Sequence, residues 1–231
     1  MKSGRWDSYD AYLCDLDGTL LHCRDAVHYF GFCHVLSEVA GRPVNLDGVT
    51  THGNTDVGIL RDAFARAGVP EEAWRPQLPA LREKLCRFVE EHAGELRVEL
   101  LPGVVEVLGH LQRRGAVTCV ATGNLERIGW AKLAASGLRR GFGFGCFSDR
   151  WETRSEVFAA AAARARALVA ELRSGVTASV CVIGDTPADV EAARENGLDV
   201  IAVATGIFSR EELEAARPTV LVRSLSELAP G

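Results

Sequence analysis

The chain has 231 residues, 47% hydrophobic and 25% charged, with a net charge of −5. That is the make-up of an ordinary globular protein and lies far from the basic balance of nucleic-acid binders, so no nucleic acid is expected as a partner and an anionic substrate would need locally placed cations. No apolar run approaches the length of a membrane span and the opening MKSGRWDSYD has no signal-like hydrophobic core, which predicts no membrane partner and a cytoplasmic location. The seven cysteines, at 14, 23, 33, 86, 119, 146 and 181, are odd in number and form no CxxC, so they read as reduced packing thiols.

In chain order, Tyr9 to Cys14 reads as a short apolar strand. Residues 22–97 are helical by pattern. AVHYFGFCHVLSEVAG carries apolar residues at helical spacing and ends at Gly41, TDVGILRDAFARAG opens on Thr55 as a cap and stops at Gly68, and a third helix is expected over 77–92. From VELLPGV onward strands and helices alternate: helix 104–114, strand AVTCVAT, helix 125–136, the loop GFGFGCF, helix 155–173, strand ASVCVIGD, helix 188–196, strand DVIAVAT, and PTVLV at a sheet edge. Continuously apolar strands separated by helices predict an α/β fold, a Rossmann-like parallel sheet covered on both faces. Residues 1–21 and 98–231 would form this core domain, and 22–97 an inserted α-helical cap domain.

Three of the apolar strands stop at polar clusters, at DLDGT, TGN and GDTPAD. In a parallel sheet such ends share one rim, so Asp15, Asp17, Thr122 and Asp185 are expected to converge. Carboxylates crowded together repel and take up protons unless a cation sits among them. Hard oxygen ligands in this arrangement suit Mg²⁺, which binds through one or two carboxylates together with waters and substrate phosphate.

DLDGT, ATGN and GDTPAD, in this order and interrupted by a helical insertion, resemble the haloacid dehalogenase superfamily of phosphohydrolases, in its capped, phosphoglycolate phosphatase-like branch; the likeness covers nearly the whole chain. The resemblance implies roles. Asp15 would be the nucleophile that forms an aspartyl-phosphate, and Asp17 the acid and then the base, with its backbone carbonyl on Mg²⁺. Gly18 would allow close backbone approach, and Thr19 would hold the loop. Thr122, Gly123 and Asn124 would bind the phosphoryl oxygens at a helix start. Asp185 would complete the metal site with Asp15 and Asp17, and Asp189 would support it, although a first-turn helix charge explains Asp189 as well. Where most relatives carry a lysine, the three lysines here, at 2, 84 and 132, do not fit; Arg154 in DRWETRSEVF is the best match and Arg150 its competitor.

His22 at the junction with the insertion, and His52, Asn54 and Asp56 in a segment matching the specificity loop of capped relatives, are candidates for substrate contact. Helix capping is the competing explanation for Thr55 and Asp56. Keeping both Asp17 and Asp185 argues against dehalogenation, and the absence of lysine from residues 22–83 argues against imine-forming phosphonate chemistry. The expected function is an Mg²⁺-dependent phosphatase acting on a small phosphorylated metabolite such as phosphoglycolate or a sugar phosphate, as a monomer or homodimer. A phosphomutase of the same superfamily and a non-catalytic scaffold are the alternatives.

Overall fold

The computed structural model describes residues 5–173 and 177–229, so Lys2 lies outside it. The first strand, β1 (Ala11–Cys14), is followed by β2 (Leu21–Cys23) and the inserted helices α1 (Val27–Ala40), α2 (Asp56–Arg66), α3 (Glu71–Trp74) and α4 (Leu78–Glu91). The chain returns through β3 (Val98–Leu100) and continues as α5 (Val104–Arg113), β4 (Val117–Ala121), α6 (Glu126–Ala135), β5 (Gly145–Cys146) and α7 (Arg154–Leu172). It closes with β6 (Val180–Gly184), α8 (Pro187–Glu195), β7 (Asp199–Val203), α9 (Arg210–Ala215) and β8 (Val220–Val222). None of the described helices is long and apolar enough to cross a membrane.

Six strands form one sheet in the order β5-β4-β1-β6-β7-β8, and every pairing in it is parallel. β1 is central, with Leu13 in register with Cys119 on one side and Val182 on the other. Its alternate residues feed opposite faces: Leu13 packs with Phe158 and Val190, and Tyr12 and Cys14 pack with Val107, Leu111 and Leu133. A strand buried on both faces has no polar side, which is why AYLC reads as an unbroken apolar run. The cysteines are free thiols; Cys14, Cys86, Cys119 and Cys181 are buried, as the sequence implies.

The insertion departs from the all-helical expectation at both ends, where β2 and β3 pair antiparallel with His22 opposite Glu99. Strands of three residues are too short to establish a period of two, so pattern alone misses them. The inserted helices also share their apolar cluster with the core. Val35, Leu60, Phe64, Trp74 and Leu85 pack together with Leu125 and Ile128, which belong to the start of α6. Arg127 on α6 adds ion pairs to Glu83 and Glu90 of α4, and Arg75 binds Glu152 just before α7.

Candidate active site

Asp15 follows the last residue of β1, and its amide still donates to the carbonyl of Ile183 on β6 at 3.0 Å, so the sheet holds its backbone. Its carboxylate is buried, and Oδ1 accepts from Nη1 of Arg154 at 2.9 Å. Arg154 is the first residue of α7, placed by a capping box between Thr153 and Glu156. The same Nη1 lies 3.3 Å from Oδ1 of Asp189, and Nε donates to the carbonyl of Gly53 in the insertion at 3.3 Å. A buried cation in the first helical turn opposes the helix dipole, and these two aspartates supply its compensation. Arg150, the competing candidate, is exposed.

Asp185 ends β6. Its Oδ1 accepts from the Thr19 hydroxyl at 2.8 Å, while Oδ2 is buried with no hydrogen-bond partner. A Cβ at Gly18, which has φ +84°, or at Gly206 would collide with this carboxylate, so both glycines are needed for the close approach. Asp189 accepts from the Thr186 amide and hydroxyl through Oδ2, at 3.0 and 2.8 Å, in the capping box of α8, and its Oδ1 lies 3.3 Å from Nη1 of Arg154.

Oxygens of Asp15, Asp185 and Asp189 lie within 4.8 Å of one another. Burial pushes Asp15 up to about 6 in spite of Arg154, with Asp189 and Asp17 acting in the same direction. Burial, Asp15 and Asp189 together hold Asp185 well above the usual carboxylate range. A single arginine does not balance three buried carboxylates. The surplus negative charge, the orphaned Oδ2 of Asp185 and an all-oxygen donor set fit a hard divalent cation.

Asp17 takes a different direction from Asp15. Its carboxylate receives Nζ of Lys132 at 2.9 and 2.7 Å and Nδ2 of Asn124 at 2.8 Å, so its side chain stands outside the three-carboxylate cluster. Only its backbone carbonyl is left as the expected metal contact. Burial alone would raise Asp17, but the charge and hydrogen bonds of Lys132 and the bond from Asn124 outweigh it and hold the carboxyl at about 2. Lys132 is 4% exposed and also donates to Oδ1 of Asn124 at 2.8 Å. The sequence reading passes over Lys132 because it looks for a cation beside Asp15. The available signal was its place on α6: Leu125, Ile128 and Lys132 recur at helical spacing, which puts a charge in the apolar stripe.

Thr122 is buried at the end of β4, and its hydroxyl accepts from Nδ2 of Asn124 at 2.9 Å. No side chain caps the start of α6 at its N-cap residue Leu125, and two amides there are engaged by carboxylates: Leu125 donates to Asp56 at 2.7 Å and Glu126 to Asp149 at 2.7 Å. Asp56 is therefore a buried docking group between α2 and α6; its amide also donates to the carbonyl of Gly123 at 2.8 Å. Thr55 caps α2 as expected, accepting from the Gly58 amide at 2.9 Å, and its hydroxyl donates to the carbonyl of Glu152 at 2.7 Å. Asn54 borders the site, but its side chain is engaged by Thr50, Asp62 and the Thr55 amide. For His22 the structure corrects the sequence reading: it sits in the β2–β3 ribbon and does not line the cavity, whereas His52 does.

The cavity between the strand ends and the inserted helices measures about 220 Å³. Asp15, Asp17, Thr122, Lys132 and Arg154 line it from the core, and His28, Tyr29, Phe32, Leu46 and Ile59, none of them singled out by the sequence, line it from the insertion.

Residues 9–197 match the family model for haloacid dehalogenase-like hydrolase. A phosphoglycolate phosphatase of Synechococcus elongatus is 27% identical over 225 residues, covering 94% of each chain. One from Caulobacter vibrioides is 30% identical over 223 residues, covering 93% of this chain and 86% of its own. Among solved structures, CbbY from Rhodobacter sphaeroides in complex with phosphate superposes with a TM-score of 0.68 at 20% identity, over 95% of this chain and 96% of that one, which establishes the shared fold. The paired aspartates after the central strand, the TGN turn and the GDTPAD motif thus stand in the family's order on the family's sheet, and the chain belongs to the haloacid dehalogenase-like hydrolases.

Proposed function

We propose that this phosphatase hydrolyses small organic phosphate monoesters through a covalent phosphoryl group on Asp15, with Mg²⁺ held by Asp15, Asp185 and the backbone carbonyl of Asp17. The names of the two relatives make phosphoglycolate the first ester to assay. The observation that carries the proposal is the Asp15–Arg154 contact set beside a carboxylate cluster whose Asp185 Oδ2 has no partner. When bound, the ion would neutralise the carboxylates and polarise the phosphoryl group as a Lewis acid.

The protein groups divide the work. An oxygen of Asp15 forms a bond to phosphorus as the bond to the leaving oxygen breaks, while Arg154, with Thr122 and the backbone of the TGN turn, faces the charge gathering on the phosphoryl oxygens. Asp17, ionised in the free enzyme, passes to the departing alkoxide the proton that the phosphate monoester brings as its monoanion, then takes one from the water that releases inorganic phosphate and regenerates Asp15. Lys132 and Asn124 fix the Asp17 carboxylate and favour its base form, the state required for the second step. The helices of the insertion act as the cap, closing over the strand ends and excluding bulk water.

The test is phosphate release from phosphoglycolate, a sugar phosphate and p-nitrophenyl phosphate, with Mg²⁺ and with EDTA, together with a search for an 80-dalton-class mass increase on the Asp15 peptide in quenched enzyme, roughly the mass a phosphoryl group adds. Turnover that survives both EDTA and Asp15→Asn would refute the proposal.

A further inference from the structure

The cavity is chemically one-sided. Its two permanent cations, Arg154 and Lys132, both belong to the phosphoryl end, and each is bound to an aspartate. The three N–H donors of Lys132 are taken by the two oxygens of Asp17 and by Asn124. The insertion contributes Tyr29, Phe32, Leu46 and Ile59 to the lining, beside the polar Thr51, His52 and Asn54, with the His28 ring stacked on Phe32 at a centroid distance of 4.8 Å and an interplanar angle of 26°. Nε2 of His28 is buried without a hydrogen-bond partner and lies 3.4 Å from Oδ2 of Asp56, so any proton it carries is balanced by that carboxylate. Burial lowers the pKa of His52, the other histidine at this wall.

A second anion on the substrate would therefore leave water for a surface that offers mostly carbon, an imidazole held against Asp56 and that carboxylate, with no uncommitted lysine or arginine among the described lining residues to receive it. Burying an unpaired charge is costly, whereas covering apolar wall with an apolar group is favourable. Building on the phosphatase reading, we infer that the preferred leaving group is an uncharged alcohol with a flat apolar face, aromatic or heteroaromatic, that packs on Phe32, Leu46 and Ile59. Esters that carry a carboxylate or a second phosphate are poor substrates. This narrows the substrate class and runs against phosphoglycolate, the ester in the relatives' names.

The enzyme is assayed with Mg²⁺ on three compounds: acetyl phosphate, whose leaving group has almost no surface, phosphoglycolate, and benzyl phosphate. The expected result is a kcat/KM for benzyl phosphate at least about tenfold above that for phosphoglycolate, the range that one well-filled apolar pocket provides. Phosphoglycolate equal to or better than benzyl phosphate overturns the inference and leaves the phosphatase reading intact, provided acetyl phosphate turns over. No phosphate from any of the three overturns both. Tyr29, 38% exposed at the cavity wall, gives a second measurement that does not disturb the buried cluster. Tyr29→Arg supplies the missing cation and is expected to reduce the benzyl-to-phosphoglycolate ratio by about fivefold or more, of the order of one surface-accessible charge contact. An unchanged ratio shows that this wall does not meet the leaving group and overturns the inference.

Discussion

The two ends of the cavity are built in opposite ways. At the phosphoryl end the carboxylates are held by groups from other strands and helices, Arg154 on Asp15, Thr19 on Asp185, Lys132 and Asn124 on Asp17, with Oδ2 of Asp185 and Oδ1 of Asp189 left without a hydrogen bond. At the far end the wall is largely carbon, and the buried nitrogen of His28 has no hydrogen bond. The first end comes from the rim of a parallel sheet, where five neighbouring pairings fix backbone positions; the second comes from helices that only abut that rim. The proposed mechanism thus anchors the chemistry in the sheet and assigns selection of the leaving group to the insertion, whose side chains can change without moving Asp15.

The strongest way to break this contrast is at the nucleophile. Asp15→Asn should reduce turnover of every ester to about a thousandth or less, with circular dichroism unchanged, because the bond-forming oxygen is lost and not the fold. Activity retained above that level would move the chemistry elsewhere.

Lys132 separates the two ends more sharply. Lys132→Met should lower kcat for an alkyl phosphate and for p-nitrophenyl phosphate alike, by about ten- to a hundredfold, because the base step on the phosphorylated enzyme is common to both esters. Phosphorylated Asp15 should then accumulate and give a burst of p-nitrophenol ahead of slow turnover; a loss of activity without that burst would mean that Lys132 serves packing alone.

A third comparison concerns charge at the rim. Asp185 has its pKa raised, so its folded form favours the proton, and the cost of ionising it grows as pH rises above the ordinary carboxylate value; at neutral pH without metal it destabilises the fold. Asp185→Asn should therefore raise the melting temperature in EDTA by a few degrees, about 2–4 °C for each kcal/mol in a chain of this size. Mg²⁺ should raise the melting temperature of the parent protein and raise that of the variant less. A variant that melts lower in EDTA would mean that the cluster is balanced without an ion.

The smallest effect is expected where the insertion meets the core on the surface. Arg75–Glu152 and the pairs of Arg127 with Glu83 and Glu90 are partly exposed, and such pairs contribute about 0–1 kcal/mol. Arg75→Ala and Arg127→Ala should change KM by less than about threefold at low salt and not at all in 0.5 M salt, roughly where the Debye length falls below one side-chain length. A larger change that persisted in salt would make these pairs part of closure.

The parts of this protein that were legible from sequence share one property: their signal is local. AYLC followed by DLDGT shows an apolar strand ending in carboxylates, Thr55 and Gly41 mark helix ends, and the order of the three motifs carries the family. Arg154 was readable because a cation at a helix start needs an explanation. The features that were missed depend on distance in space. The β2–β3 ribbon is two three-residue strands more than seventy positions apart, and Asp56 looks like a first-turn helix charge until Leu125 is found bonded to it. Lys132 looks like one more helical lysine until α6 turns it toward Asp17.

Sequence alone determined the alternation of strands and helices, the place of the insertion and the identity of the acidic residues on the rim, since propensity, periodicity and motif order act between near neighbours. Only the tertiary structure decided that Asp15 and Asp17, two positions apart, belong to different electrostatic worlds, one pushed up to about 6 and the other held at about 2. The reason is physical: residues two apart would share a face only if β1 continued, but the strand ends at Cys14 and the chain turns at Gly18, and what waits beside each carboxylate, Asp185, Asp189 and Arg154 at Asp15 and Lys132 at Asp17, is brought there by segments more than a hundred residues away.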